Sequence, residues 1–179
     1  MAVEMSVMLS TEEIQAKVKQ LGELITAHYA QSDKELVLIG LLRGSVIFMA
    51  DLCRCINKPH ELDFMTVSSY GKSTTSSRDV KILKDLDGEI RGKDVLVVED
   101  IIDSGNTLDF ITKYLKAKKA KSVKLCTLYN KPDRRVADIH IEYAGAVIPD
   151  EFIVSYGLDY DEKYRNLPYV GVLKPSVYS

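Results

Sequence analysis

Residues 95–108 read VLVVEDIIDSGNTL. Val95, Leu96, Val97 and Val98 are a short, continuously apolar and mostly β-branched run, the pattern of a central strand buried on both faces of a parallel sheet. Two adjacent carboxylates, Glu99 and Asp100, follow it directly. The chain then turns through residues 100–105 into a stretch where Leu108, Ile111 and Leu115 recur at helical spacing, flanked by Phe110 and Tyr114. Strand, polar loop and helix in that order form the repeating unit of an open α/β sheet. In such sheets ligands bind outside the carboxyl ends of the strands, and a helix N-terminus offers free backbone N–H groups to an anion. The segment predicts a phosphate cradle with acids beside it.

Each residue type in the loop has a chemical use. Gly105 lets the backbone approach a phosphate closely or take a positive φ, and Ser104 and Thr107 donate hydroxyl hydrogen bonds to its oxygens. Glu99 and Asp100, acceptors when ionised, suit the two hydroxyls of a ribose. Asp103 is left over near the point where the ribose C1 would sit, and suits proton management. A D-x-G-x-T pattern alone also describes an ordinary helix cap preceded by surface carboxylates. The longer string, with its acid pair set right after an apolar strand, is much more specific.

Outward from this segment the alternation continues. Ser10 and Glu13 form a capping box, and Ile14, Val18, Leu21 and Ile25 predict an amphipathic helix over about residues 11–30. Residues 36–42 read as a buried strand, 45–56 as a helix and 60–67 as a second strand. The stretch 68–78, SSYGKSTTSSR, is polar and rich in small residues, as a mobile loop should be. A short strand over 80–83, a strand over 122–129 and one more within 145–154 complete the pattern. The lysines of 116–121 suit the negative end of a helix dipole and read as a solvated cap. Strands and helices in alternation argue an open α/β sheet with parallel central strands.

Composition sets the outer bounds. The chain has 179 residues, 46% of them hydrophobic, enough for one compact domain that removes roughly 70% of the unfolded-chain surface from water. Its 24 basic and 26 acidic side chains give a formal net charge of −2, so no global field favours nucleic acid. The apolar run at 36–42 is far short of the roughly 20 residues of a membrane span, and no basic leader precedes it, so no anchor or signal peptide is expected. Cys53, Cys55 and Cys126 form an odd, unpatterned set that fits a reducing cytoplasm. His28, His60 and His140 have no metal-ligand spacing and read as structural.

The string at 95–108 resembles the phosphoribosyl pyrophosphate signature of the type I phosphoribosyltransferases. LLRGS at 41–45, SSYG at 68–71, DVKILKDL at 79–86 and IPDEFIVSYGLDYDEKYRNLPY at 148–169 are similar to the hypoxanthine branch of that family, and the likeness runs over roughly residues 10–172. The resemblance implies a type I phosphoribosyltransferase fold: an open, mainly parallel twisted sheet flanked by helices, in one domain over 1–179. It also implies a small hood built from the N- and C-terminal segments, and a flexible catalytic loop at about 68–78 carrying Ser69 and Tyr70.

Roles carry over position by position. By resemblance, Glu99 and Asp100 bind ribose and Asp103 is the general acid/base at purine N7. Asp103, Ser104, Gly105, Asn106 and Thr107 form the 5′-phosphate loop. Leu42, Arg43 and Gly44 match the pyrophosphate loop, where the family often has a non-proline cis peptide, and Arg165 matches a further pyrophosphate contact. Lys131 matches the lysine that reaches the 6-oxo group, Phe152 the aromatic that stacks on the base, and Ile153 a backbone contact to its edge. Asp159, grouped with the purine-binding residues, lies near the pyrophosphate-side Mg²⁺, and Glu99, Asp100 and Asp159 are the expected metal-site acids. Two positions depart from the pattern. Ser155 stands where glycine is expected, and Arg43 is lysine in some relatives, a change that keeps the charge and alters its geometry.

The implied activity belongs to purine salvage: Mg²⁺-dependent transfer of a phosphoribosyl group from 5-phosphoribosyl 1-pyrophosphate to hypoxanthine and guanine. The expected enzyme is cytoplasmic, a homodimer or homotetramer, with no nucleic-acid or membrane partner. The main rival is a non-catalytic regulator of the same fold that senses phosphoribosyl pyrophosphate and binds nucleic acid, which would need an electropositive surface or an appended domain. A P-loop hydrolase is excluded, because GEIRGK at 88–93 has the wrong spacing and continues with Asp94.

Overall fold

The structure, a computed structural model, describes residues 5–70 and 79–177. The expected loop at 68–78 falls mostly on 71–78, outside the described residues, as do the side chains of Ser69 and Tyr70. Its first three residues are not loop: strand β3, His60–Tyr70, continues through them and pairs with β4, Asp79–Lys84.

The main sheet has six strands. β2 is Leu36–Leu42, β5 Asp94–Ile102, β6 Ser122–Asn130 and β7 Tyr143–Val147. The order is β4-β3-β2-β5-β6-β7, parallel throughout except for the β3/β4 pair. The central strands β2 and β5 are apolar on both sides because helices cover both faces. Leu36, Leu38, Leu96, Val98, Cys126 and Leu128 face a core shared with helix α1, Thr11–Tyr29, and helix α2, Val46–Cys55. Val37, Ile39, Leu41, Val95, Val97 and Leu125 face helix α3, Asn106–Ala117, through Leu108, Ile111 and Leu115. Each large side chain so buried contributes about 1.5–3 kcal/mol. The capping box on α1 is formed: Glu13 N–H donates to Ser10 Oγ at 3.2 Å, and Ser10 N–H to Glu13 Oε2 at 2.8 Å.

This order positions a crevice. The chain leaves β2 through α2 on one face to reach β3, and leaves β5 through α3 on the other face to reach β6. Between β2 and β5 the connections run in opposite directions, which is the switch point where a cleft opens at the strand ends. The last β2/β5 pair is Gly40 with Val98. Beyond it β2 stays with β3, and β5 stays with β6 through Glu99, Ile101 and Ile102. The acid pair therefore lies on a strand that runs to Ile102, correcting the expected end at Val98.

A second, three-stranded sheet joins the two ends of the chain. β1, Met5–Leu9, pairs antiparallel with β9, Val170–Leu173, which pairs with β8, Ile153–Val154. The single strand expected within 145–154 is thus two strands in different sheets, parted at Pro149, which has no N–H for a ladder.

Candidate active site

Three adjoining hollows lie at the carboxyl ends of β2, β5 and β6. The first is lined by Glu99, Ile102, Asp103, Ser104, Gly105 and Thr107. Gly105 takes φ 81 and opens α3 with no side-chain cap of its own; the Asn106 N–H donates to Ser104 Oγ at 3.4 Å, and the N-terminus of the helix borders the hollow, as an anion site requires. Asn106 begins the helix but does not line the hollow. The loop is strapped from behind by residues that sequence reading did not single out. Arg135 donates from Nε to the Asp103 carbonyl at 3.0 Å and from Nη2 to Asn130 Oδ1 at 2.6 Å. Val136 and Ala137 N–H both donate to the Ser104 carbonyl.

The second hollow is walled by Asp103, Lys131, Glu151, Phe152, Ile153 and Leu158. Lys131 follows β6 and is only 6% exposed. Its Nζ donates to the Glu151 carbonyl at 2.6 Å and lies 3.8 Å from both Asp103 Oδ1 and Asp150 Oδ1. Asp150 is itself held by Arg134 Nε at 2.7 Å. Phe152 is 39% exposed, far from a core ring, and meets Tyr160 edge-on with centroids 5.8 Å apart. A partly exposed ring in the wall of this hollow suits contact with a planar ligand.

The third hollow gathers Leu42, Arg43, Gly44, Asp100, Asp159 and Arg165. Asp159 belongs here and not with Lys131 and Phe152. The Leu42–Arg43 peptide is cis. A Cβ on Gly44 would stand 1.9 Å from Asp100 Oδ2, and one on Gly157 2.2 Å from the Gly44 carbonyl oxygen, so bare backbone is needed at both contacts. Arg165 binds Asp159 Oδ1 at 2.8 Å and the Gly157 carbonyl at 2.7 Å. The hollows share walls: Glu99 and Thr107 border the first and third, Ile101 and Asp103 the first and second, and Leu158 the second and third. Ile101 and Leu158 carry no sequence signal of a site, since only the tertiary approach of their segments brings them there.

Ser155 follows β8 at φ 84, fully buried. The expected glycine has a physical reason here: the turn demands a left-handed residue. That turn closes through hydrogen bonds between Ser155 and Leu158, and Tyr156 anchors it by donating its hydroxyl to Asp51 of α2.

The acid pair is electrostatically tense. Burial raises the Glu99 carboxyl well above its usual range, and the neighbouring Asp100 raises it further. Burial also raises Asp100, opposed by hydrogen bonds from Glu99 and the Ile101 N–H and by the Arg165 charge. Two buried carboxylates resist ionising together unless a cation or hydroxyl donors arrive. Among the described residues no three carboxylate, histidine or cysteine side chains converge on a point that could hold a metal. Glu99 and Asp100 beside the third hollow offer the one or two carboxylates that a magnesium ion takes before completing its shell with water and phosphate oxygens.

The family description Phosphoribosyl transferase domain matches residues 10–161. The chain is 58% identical over 165 residues to the hypoxanthine phosphoribosyltransferase of Salmonella typhimurium, covering 92% of this chain and 93% of that protein. It is 54% identical to the hypoxanthine-guanine phosphoribosyltransferase of Bacillus subtilis, covering 96% and 94% respectively. Its backbone superposes on the crystal structure of a hypoxanthine phosphoribosyltransferase from Staphylococcus aureus with a TM-score of 0.93, at 50% identity, over 99% of this chain and 95% of that one.

Proposed function

Since the chain belongs to the phosphoribosyl transferase family, we propose that it joins hypoxanthine, and guanine, to the phosphoribosyl group of 5-phosphoribosyl 1-pyrophosphate, a purine-salvage reaction that releases pyrophosphate. The observation that carries this reading is Lys131, a buried ammonium 3.8 Å from the Asp103 carboxylate in a hollow walled by Phe152. Lysine only donates, so it matches a 6-oxo group and opposes a 6-amino group. Ile153 supplies backbone at the base edge.

The three hollows support the remaining roles in this reading. The 5′-phosphate takes the N–H groups and hydroxyls of 103–107, ribose hydroxyls meet Glu99 and Asp100, and pyrophosphate meets Arg43, the backbone of Leu42 and Gly44, and Arg165. Glu99, Asp100 and Asp159 are the residues that would hold Mg²⁺ with the substrate. When bound, that ion neutralises pyrophosphate and makes it a better leaving group. As the C1–oxygen bond breaks, purine N9 attacks C1 and Asp103 takes the N7 proton. The apolar walls of Ile101 and Leu158 keep water from the developing cation, since hydrolysis competes. The loop at 68–78, with Ser69 and Tyr70, is proposed to close over the site.

A cytoplasmic homodimer or homotetramer is the expected assembly, with a single domain whose hood is the small sheet. Among the described residues no helix is long and apolar enough to cross a membrane. The nucleic-acid-binding regulator gains no support from a net charge of −2. Initial rates with phosphoribosyl pyrophosphate, Mg²⁺ and each of hypoxanthine, guanine and adenine test the reading. Hypoxanthine and guanine are expected to turn over and adenine to be slower by about 10²-fold or more. Adenine within tenfold of hypoxanthine overturns it.

A further inference from the structure

The two arginines assigned to pyrophosphate already share an anion. Arg43 Nη2 lies 2.9 Å from Glu162 Oε1, and Arg165 Nη2 lies 3.5 Å from Glu162 Oε2. One carboxylate, belonging to no role assigned above, spans both guanidinium groups. The turn that carries it is fixed. Glu162 N–H donates to Asp159 Oδ2 at 2.9 Å, and Asp161, Glu162 and Tyr164 hold φ values of 51°, 61° and 75°, conformations that non-glycine residues adopt only when their surroundings demand it. The side chain is different. It is 59% exposed, and exposed ion pairs are weak and easily exchanged.

We propose that Glu162 is a built-in competitor for pyrophosphate: its carboxylate occupies Arg43 and Arg165 in the unliganded protein and is displaced when a pyrophosphate group arrives. The inference rests on the assignment of those arginines to pyrophosphate. A doubly ionised phosphate forms stronger paired hydrogen bonds with arginine than a single carboxylate does, so the exchange runs toward ligand. The displacement is subtracted from affinity for the substrate and for the pyrophosphate product alike. Asp159 does not share the role, since it touches Arg165 alone and also holds the turn.

The test is calorimetric titration of the full chain with inorganic pyrophosphate and Mg²⁺, joined to steady-state kinetics. Glu162→Gln is expected to tighten pyrophosphate binding about three- to tenfold, lower KM for phosphoribosyl pyrophosphate by a similar factor and leave KM for hypoxanthine unchanged. Asp161→Asn removes an equal charge from the same turn, one that pairs with Lys163 at 3.0 Å and not with either arginine, and should change pyrophosphate affinity by less than about twofold. In an Arg43→Met background the gain from Glu162→Gln should shrink. Unchanged or weaker binding by Glu162→Gln, or equal tightening by Asp161→Asn, overturns the proposal. If Arg43→Met alone leaves pyrophosphate affinity unchanged, the assignment of Arg43 itself fails and the proposal falls with it, a result distinct from the other two.

Discussion

Ser155 and Asp103 sit at opposite ends of what a single residue can do here. Ser155 holds φ 84 while fully buried, and its Oγ has no hydrogen-bond partner among the described residues. A left-handed non-glycine residue costs about 1–2 kcal/mol, and glycine's extra freedom in the unfolded chain offsets about 0.5–1 kcal/mol of any relief. Ser155→Gly should therefore stabilise the fold by about 1 kcal/mol, seen as a higher urea midpoint at unchanged slope. A lower midpoint would show that the hydroxyl contributes something the turn needs. Asp103 is the reverse case, a residue whose proposed value is chemical. Asp103→Asn keeps shape and removes basicity, so kcat should fall by roughly 10²- to 10⁴-fold with little change in substrate binding. Near-normal kcat with weakened binding would make Asp103 a scaffold of the phosphate loop. The positions of both residues were legible in the sequence because their signals are local: an acid inside a strand-loop-helix string, which the structure places in the wall of two hollows, and a serine where the family's pattern has glycine. Glu162 and Arg135 were not, since each acts on a segment more than 30 positions away.

At the scale of elements, α1, α2, β2, β4 and β6 were legible to within a residue at each end, whereas the far ends of β3 and β5 and the strands β1 and β9 were not. Apolar periodicity marks a helix along its length, whereas a strand ends where its neighbours stop pairing. β5 runs past two carboxylates because β6 continues beside it through Tyr129 and Asn130. β1 and β9 are short and belong to opposite ends of the chain, so nothing local announces their pairing. The junction of β2 with α2 shows what such non-local fit demands. Gly44 approaches Asp100 so closely that a Cβ would stand 1.9 Å from Oδ2. Gly44→Ala must push the loop at 42–44, proposed to bind pyrophosphate, and the acid pair apart. It should lower kcat/KM for phosphoribosyl pyrophosphate by about 10²-fold, the usual cost of misplacing a positioned group by about 1 Å. Circular dichroism should stay that of the wild type, because the sheet and helices do not depend on the contact. An alanine variant with normal kinetics would contradict the close approach.

At the scale of the whole molecule, the fold collects negative charge where the strongly anionic substrate is proposed to bind. Glu99 and Asp100 meet at the end of β5, and Asp159 lines the same hollow, while the two nearby arginines are already engaged by Glu162 and Asp159. Burial holds Glu99 and Asp100 above their usual carboxylate range and the Asp100 charge raises Glu99 further, and the phosphates of the substrate would add to that repulsion. Protonation alone removes little of it, because the substrate stays charged. A divalent cation, held with the substrate by Glu99, Asp100 and Asp159, would remove most of it. Metal and phosphoribosyl pyrophosphate should therefore bind with positive coupling, each raising the other's affinity by the same factor. Excess EDTA is expected to abolish turnover and added Mg²⁺ to restore it. Titrating phosphoribosyl pyrophosphate at a series of Mg²⁺ concentrations should show its Kd falling as the metal rises, by about fivefold or more. Asp159→Asn should weaken that coupling while leaving purine binding nearly unchanged. Undiminished activity in excess EDTA, or a substrate Kd independent of Mg²⁺, would mean that the arginines alone answer the charge of the pyrophosphate.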